Sequence, residues 1–197
     1  MRLVVGLGNP GRKYALTRHN LGVILLQKVA DSLNVSIDKN LTFSCYGISR
    51  KFGGIILAKS ALYMNQSGVA VAQLFRKFHI SSNDFILLHD DLDLDFSKIK
   101  IKKSGGAGGH KGVESTISSI GTDEFIRLRL GIGKPSIGQD PADYVLSKFY
   151  EEEKEILDNF LNFTIQATIE ILSNGPDFAM NKYNRRLRLN HNLGFPE

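Results

Sequence analysis

Met1-Arg2-Leu3-Val4-Val5-Gly6-Leu7-Gly8-Asn9-Pro10-Gly11 is the stretch on which the reading of the fold turns. Its apolar, β-branched start reads as a strand, and the glycines that follow match G-x-G-x-x-G in letter. A dinucleotide site needs more: a helix must open at those glycines, so that its first N–H groups meet the pyrophosphate. Here the next helical pattern, Leu21, Ile24, Leu25 and Val29, begins near Asn20, and the segment from Arg12 to His19 lacks that period. The helix starts about two turns too late. Asp31, at the right distance for a ribose partner, falls inside that helix instead of at the tip of a second strand. What remains is a glycine-walled turn presenting Asn9 and a loop, Thr17-Arg18-His19-Asn20, delivering an imidazole.

Outward from this segment, strand-like runs occur at 2–7, 42–50, 54–59, 84–89, 97–103 and 125–131, with Gly53-Gly54 as a hairpin turn between the second and third. Helical periodicity occurs at about 20–33, 67–79, 111–120 and 151–173. The last opens on Glu151-Glu152-Glu153 and stops at Gly175-Pro176, while Asp140-Pro141 starts a short helix through Lys148. Alternating β and α with one hairpin predicts an α/β fold: a single domain, residues 1–189, with a mixed twisted sheet flanked by helices. Residues 190–197 have no pattern and are read as a disordered tail.

The chain has 197 residues, enough for one full core. No apolar run approaches the ~20 residues of a membrane span, and the immediate start on a strand leaves no room for a signal peptide. The single cysteine, Cys45, cannot form an internal disulfide, which suits a cytoplasmic location, and its neighbours Phe43 and Tyr46 place it in the core. The net charge of +5 is unevenly spread. Asp84, Asp90, Asp91, Asp93 and Asp95 share one window without a cation, whereas 96–134 holds eight Lys and Arg against three acids. Lys182, Arg185, Arg186 and Arg188 extend the basic region. Such clusters point toward a polyanion, usually nucleic acid.

The chemistry concentrates at few residues. His89-Asp90-Asp91 closes the run Phe85-Ile86-Leu87-Leu88, where open α/β sheets place ligands. A carboxylate beside a histidine orients the ring and makes it a general base for water. The five aspartates also admit a divalent cation, although no H-x-x-x-H or cysteine set accompanies them. No activated nucleophile is visible: there is no G-x-S-x-G, and Ser67 has no neighbouring base. Gly131-Ile132-Gly133-Lys134-Pro135 lacks the first glycine and the Ser/Thr of a phosphate loop. Asn65, in Tyr63-Met64-Asn65-Gln66-Ser67-Gly68, either orients a water or carbonyl or caps the helix that follows. Lys98, Lys100 and Lys102 alternate with isoleucines and serve either phosphate contact or edge-strand protection. Lys103 and the loop Ser104–Gly112, which holds five glycines around His110 and Lys111, then lead into a helix start that favours phosphate.

Taken together, these residues resemble bacterial-type peptidyl-tRNA hydrolase from Gly6 to about Arg185. The resemblance rests on GLGNPG, Tyr14, TRHN, YMNQSG, HDDLDL, GG-x-GGH-x-G, RLRLGIG and Asp143–Phe149, in that order and spacing. It implies metal-independent hydrolysis of the ester between a peptide and the terminal ribose of tRNA. His19 would be the general base, Asp90 the carboxylate that keeps it basic, and Asn9 and Asn65 the groups that hold the substrate. Tyr14 and Tyr63 would line the acceptor-end channel. Lys103, His110, Lys111 and Arg129 would contact tRNA or peptide. No cofactor, membrane or obligate protein partner is implied. Two positions depart from the family: Lys111 stands where Asn is usual, and Ser60 where proline is frequent. A non-catalytic RNA-binding relative on the same fold is the alternative, and the presence of both His19 and Asp90 separates the two.

Overall fold

The computed structural model describes residues 1–184. Arg185, Arg186, Arg188, the domain end at 189 and the tail 190–197 lie outside the described residues. Seven strands are observed: β1 (Arg2–Gly6), β2 (Lys39–Asn40), β3 (Ser44–Ser49), β4 (Ile55–Ser60), β5 (Phe85–Asp91), β6 (Ile99–Lys102) and β7 (Ile126–Gly131). They form one sheet in the order β2-β3-β4-β1-β5-β7-β6. The four central strands run parallel, and β3 and β6 join them antiparallel from either side. Unbroken apolar runs such as Leu3-Val4-Val5 and Phe85-Ile86-Leu87-Leu88 suit strands buried on both faces.

Alternate strand residues feed two cores. On one face Val4, Leu57, Leu88 and Leu128 pack with α1 (Leu21–Leu33) and α5 (Lys154–Asn174). On the other, Leu3, Val5, Phe85 and Leu87 pack with Val71 and Leu74 of α2 (Ser67–Phe78) and Val113 of α3 (Lys111–Ile120). Thus α1, which follows β1, and α3, which follows β5 and β6, cover opposite faces. The crevice between them opens at the C-terminal ends of the paired strands β1 and β5, the place where such sheets bind ligands. The glycines of the first turn have a packing role. A Cβ on Gly6 would sit 2.4 Å from the Gly22 carbonyl oxygen, and one on Gly22 would sit 2.3 Å from that of Leu88. Bare backbone here lets α1 press against the strand ends.

The α/β class, the mixed sheet and the β3–β4 hairpin agree with the sequence expectation. Three features differ. Gly175-Pro176 ends α5 but also starts α6 (Pro176–Tyr183), because proline suits the first turn of a helix as well as it blocks the interior of one. The two-residue β2 is too short to show a period. Cys45 is half-buried on the outer strand β3, not a core residue. The short helix α4 (Pro141–Leu146) starts as expected, with the Asp140 side chain capping Ala142 and Asp143. At the sheet edge the Asn184 amide bonds Ile101 both ways, at 2.7 and 2.8 Å, occupying backbone groups that would otherwise recruit another chain.

Candidate active site

Asp90 lies at the end of β5 and is almost fully buried. His19 occupies a 3-10 turn, Arg18–Asn20, that enters α1. Its Nδ1 is 2.9 and 3.0 Å from the two Asp90 oxygens. A carboxylate in that position keeps the proton on Nδ1 and leaves the Nε2 lone pair for chemistry. Burial alone pushes the Asp90 carboxyl up. The imidazole N–H groups aimed at it, that of His110 first and that of His19 next, overcome this and hold it well below the usual carboxylate range.

His110 caps α3, its Nδ1 accepting from the amides of Gly112 and Val113, while its Nε2 lies 2.9 Å from Asp90 Oδ1. Both ring nitrogens are therefore committed inside the protein. The direct polar contact with tRNA or peptide that the resemblance implies for His110 has no free nitrogen to make it. His89 is also buried and donates from Nδ1 to the Asp90 carbonyl at 2.8 Å. Desolvation, then the neighbouring His110, lowers its pKa to about 3, so this ring is neutral at physiological pH.

The two asparagines are held differently. Asn9 Oδ1 accepts from the Met64 amide at 2.8 Å, which leaves its Nδ2 as the donor available on the cavity wall. The Asn9 backbone is clamped from both sides by the buried amide of Asn20: Asn9 N donates to Oδ1 at 2.8 Å, and Asn20 Nδ2 donates to the Asn9 carbonyl at 2.9 Å. Asn20 is thus a functional support that the sequence does not single out. Its signal was a polar side chain on the apolar side of a helix start. Asn65 is exposed in the turn before α2 and lines the cavity; α2 has no side-chain cap, so the capping alternative is set aside.

These groups face a cavity of about 830 Å³. The glycine loop and the α4 residues Ala142, Val145 and Leu146 also line it. The buried Arg127 secures the loop by donating to the carbonyls of Gly106, at 2.8 Å, and Gly105. In sequence this arginine contributed only a charge. Tyr63, Asn65, His110, Lys111 and Arg129 all line the cavity. Tyr14 stands behind Tyr63, edge-on with ring centroids 6.3 Å apart, and is not part of the lining. Lys103 turns away to Asp177, at 2.7 Å, and is not brought to the site. Arg129 is ion-paired with Asp91, and Lys111 sits exposed with Glu114 at 3.4 Å. Strand register places Lys100 opposite Arg129 and Lys102 opposite Arg127, so four cations share one sheet face beside the cavity. Lys98 pairs with Asp95 instead.

Arg18 is a further residue to which the sequence assigned no role. Its guanidinium is wholly buried, makes two bonds to Glu153 at 3.0 and 2.6 Å, and lies 4.5 Å over the Tyr144 ring. It ties the His19 turn to α4 and to the start of α5.

The aspartate window does not converge as a cation site: Asp91 and Asp95 have cationic partners, and only Asp90 enters a cluster of metal-ligand type, with His19 and His110. A metal there would displace both imidazole bonds to Asp90. It would also need His110 Nε2 without its proton, against the two amides that already require Nδ1 to be an acceptor. The donor set fits proton transfer rather than a metal.

A family model described as peptidyl-tRNA hydrolase matches residues 3–192. A peptidyl-tRNA hydrolase of Dehalococcoides mccartyi is 43% identical over 188 residues, covering 93% of this chain and 100% of that one. One of Geobacillus thermodenitrificans is 46% identical over 155 residues, covering 78% of this chain and 83% of the relative. The crystal structure of peptidyl-tRNA hydrolase from Acinetobacter baumannii superposes with a TM-score of 0.87 at 30% identity, covering 94% of this chain and 95% of that one.

Proposed function

The chain belongs to the peptidyl-tRNA hydrolase family, and from that premise we propose how it cleaves the ester of peptidyl-tRNA. Water in the cavity gives a proton to His19 Nε2 and attacks the ester carbonyl carbon. The bond from that carbon to the terminal ribose oxygen breaks, and the imidazolium returns its proton to the leaving oxygen. The products are free tRNA and the peptide's carboxylic acid, which gives its proton to solvent to become the carboxylate. Asp90 fixes the tautomer and orientation of His19. Asn9 Nδ2 and Asn65 Nδ2 are the donors available to the substrate's carbonyl groups, and Asn65 Oδ1 is the acceptor available to the N–H of its blocked α-nitrogen.

One observation carries this reading: an imidazole with one nitrogen bound to a buried carboxylate, in a cavity whose walls supply amide donors. The decisive assay compares N-acetyl-aminoacyl-tRNA with the free aminoacyl form. Selective cleavage of the blocked ester is expected. Equal rates on both would count against the reading.

Lys100 and Lys102, on the face shared with Arg127 and Arg129, support tRNA binding beside the cavity. Neutralising both should reduce the slope of log affinity against log salt by roughly 0.7–0.9 for each phosphate that no longer meets a cation. Neutralising Lys98 and Lys103, which have carboxylate partners, should leave the slope unchanged. A filter-binding series in salt checks both, and an unchanged slope in the first pair would make those lysines edge protection. No helix among the described residues is long and apolar enough to cross a membrane, and a tRNA substrate supports a cytoplasmic location.

A further inference from the structure

Asp90 serves two imidazoles, and they are not equivalent. His110 Nδ1 accepts from the amides of Gly112 and Val113, at 3.1 and 3.3 Å. A ring nitrogen that accepts N–H groups carries no proton, so the neutral ring at 110 holds its proton on Nε2 and donates it to Asp90, 2.9 Å away. Charging this ring would set an N–H on Nδ1 against two amide N–H groups at the positive end of α3. His19 has no such restraint. Its Nδ1 bonds Asp90, and no group among the described residues bonds its Nε2.

We propose that His110 is a positioning residue: a fixed neutral donor that holds Asp90 in place and leaves His19 as the one imidazole of the pair able to accept the reaction's proton. The inference rests on the general-base reading of His19. The other charged or titratable groups around the pair are already committed. On β5, His89 is bonded to the Asp90 carbonyl and Asp91 to Arg129. On β7, Arg127 is bonded to the glycine loop, and on α3 Lys111 pairs with Glu114. Arg18, beside His19, is engaged with Glu153.

The bond from His110 has a second consequence. A donor on Asp90 withdraws charge from the carboxylate, which then attracts an imidazolium at position 19 less strongly than it would with His19 as its only partner.

The test combines 15N NMR of the imidazole nitrogens with the pH profiles of His110→Asn and His110→Ala. Asn caps helices well but is shorter than the ring, so it preserves the α3 start and gives up the bond to Asp90. In the wild type, ring 110 is expected to stay in the Nε2–H tautomer throughout the pH range in which activity rises. In His110→Asn, kcat should fall roughly tenfold, well short of the 10²–10⁴ of a lost base, with KM little changed. Its acid limb of kcat/KM should move to higher pH by about half to one unit. His110→Ala should show the same limb shift with an added loss of melting temperature. A ring 110 that carries its proton on Nδ1, or that charges over the same range as His19, overturns the proposal, as does a wild-type pH profile in His110→Asn. If neither variant folds, the wild-type tautomer decides. Failure of the general-base reading is seen separately, as full turnover by His19→Asn while ring 110 keeps its Nε2–H form.

Discussion

His19→Asn is expected to lower kcat by roughly 10²–10⁴-fold while tRNA affinity stays close to wild type. The carboxamide can still meet Asp90, but it has no nitrogen basic enough to take a proton from water. Binding should survive because Lys100 and Lys102, the cations beside the cavity read as phosphate contacts, lie on β6, away from the His19 turn. The companion Asp90→Asn is expected to cost nearly as much, although the imidazole remains. The donor from His110 would draw the new amide's oxygen to itself and turn its NH₂ toward His19. A donor facing Nδ1 selects the Nε2–H tautomer, and the base loses its lone pair on the cavity side. Single-turnover cleavage and equilibrium binding, measured on both variants, separate chemistry from affinity. Full turnover in His19→Asn would remove the mechanism.

Which parts of this site the sequence could show follows from the range of each interaction. The buried strands β1 and β5 announce themselves as local apolar runs, and β7 as an alternation of apolar residues with arginines. The lateness of α1 rules out a dinucleotide loop from spacing alone. Asn9, His19, Asn65 and Asp90 stand out because their residue types carry chemistry and lie in turns or at a strand end. Their supports do not stand out. Arg18 meets Glu153 across 135 positions, and Asn9 meets the Met64 amide across 55, distances over which no periodicity helps. His110, given by the resemblance as a contact to tRNA or peptide, is turned inward by folding as a helix cap. Lys103 carries the same charge as Lys102, but the pleat sends it to the opposite side, where Asp177 of α6 waits. That helix was itself hidden behind Gly175-Pro176.

Arg18→Ala is expected to produce the largest loss of stability of any single change near the site. The guanidinium is fully buried, and Glu153, its bidentate partner, is 17% exposed. Removing one member of such a pair strands the other, at a cost of about 3–5 kcal/mol. Three aromatic rings, Tyr144, Phe149 and Tyr150, lie 4.5, 4.7 and 5.1 Å from the same cation, and each loses that partner. For a chain of this size roughly 2–4 °C of melting temperature accompanies each kcal/mol, so a drop on the order of 10 °C should appear by circular dichroism. Arg18→Lys should recover only part of it, because an ammonium cannot make the two parallel bonds to Glu153. Glu153 also accepts from the Tyr150 amide at 2.6 Å, so Glu153→Gln disturbs the start of α5 as well as the ion pair. Activity should respond less than stability at low temperature, since His19 keeps its own bond to Asp90 and the His19 turn keeps the backbone bond from Arg18 N to the Ser147 carbonyl, at 2.9 Å. A melting temperature for Arg18→Ala within about 2 °C of wild type would mean that the pair's attraction only matches the cost of burying it. The residue would then serve to fix the turn's place rather than to hold the domain together.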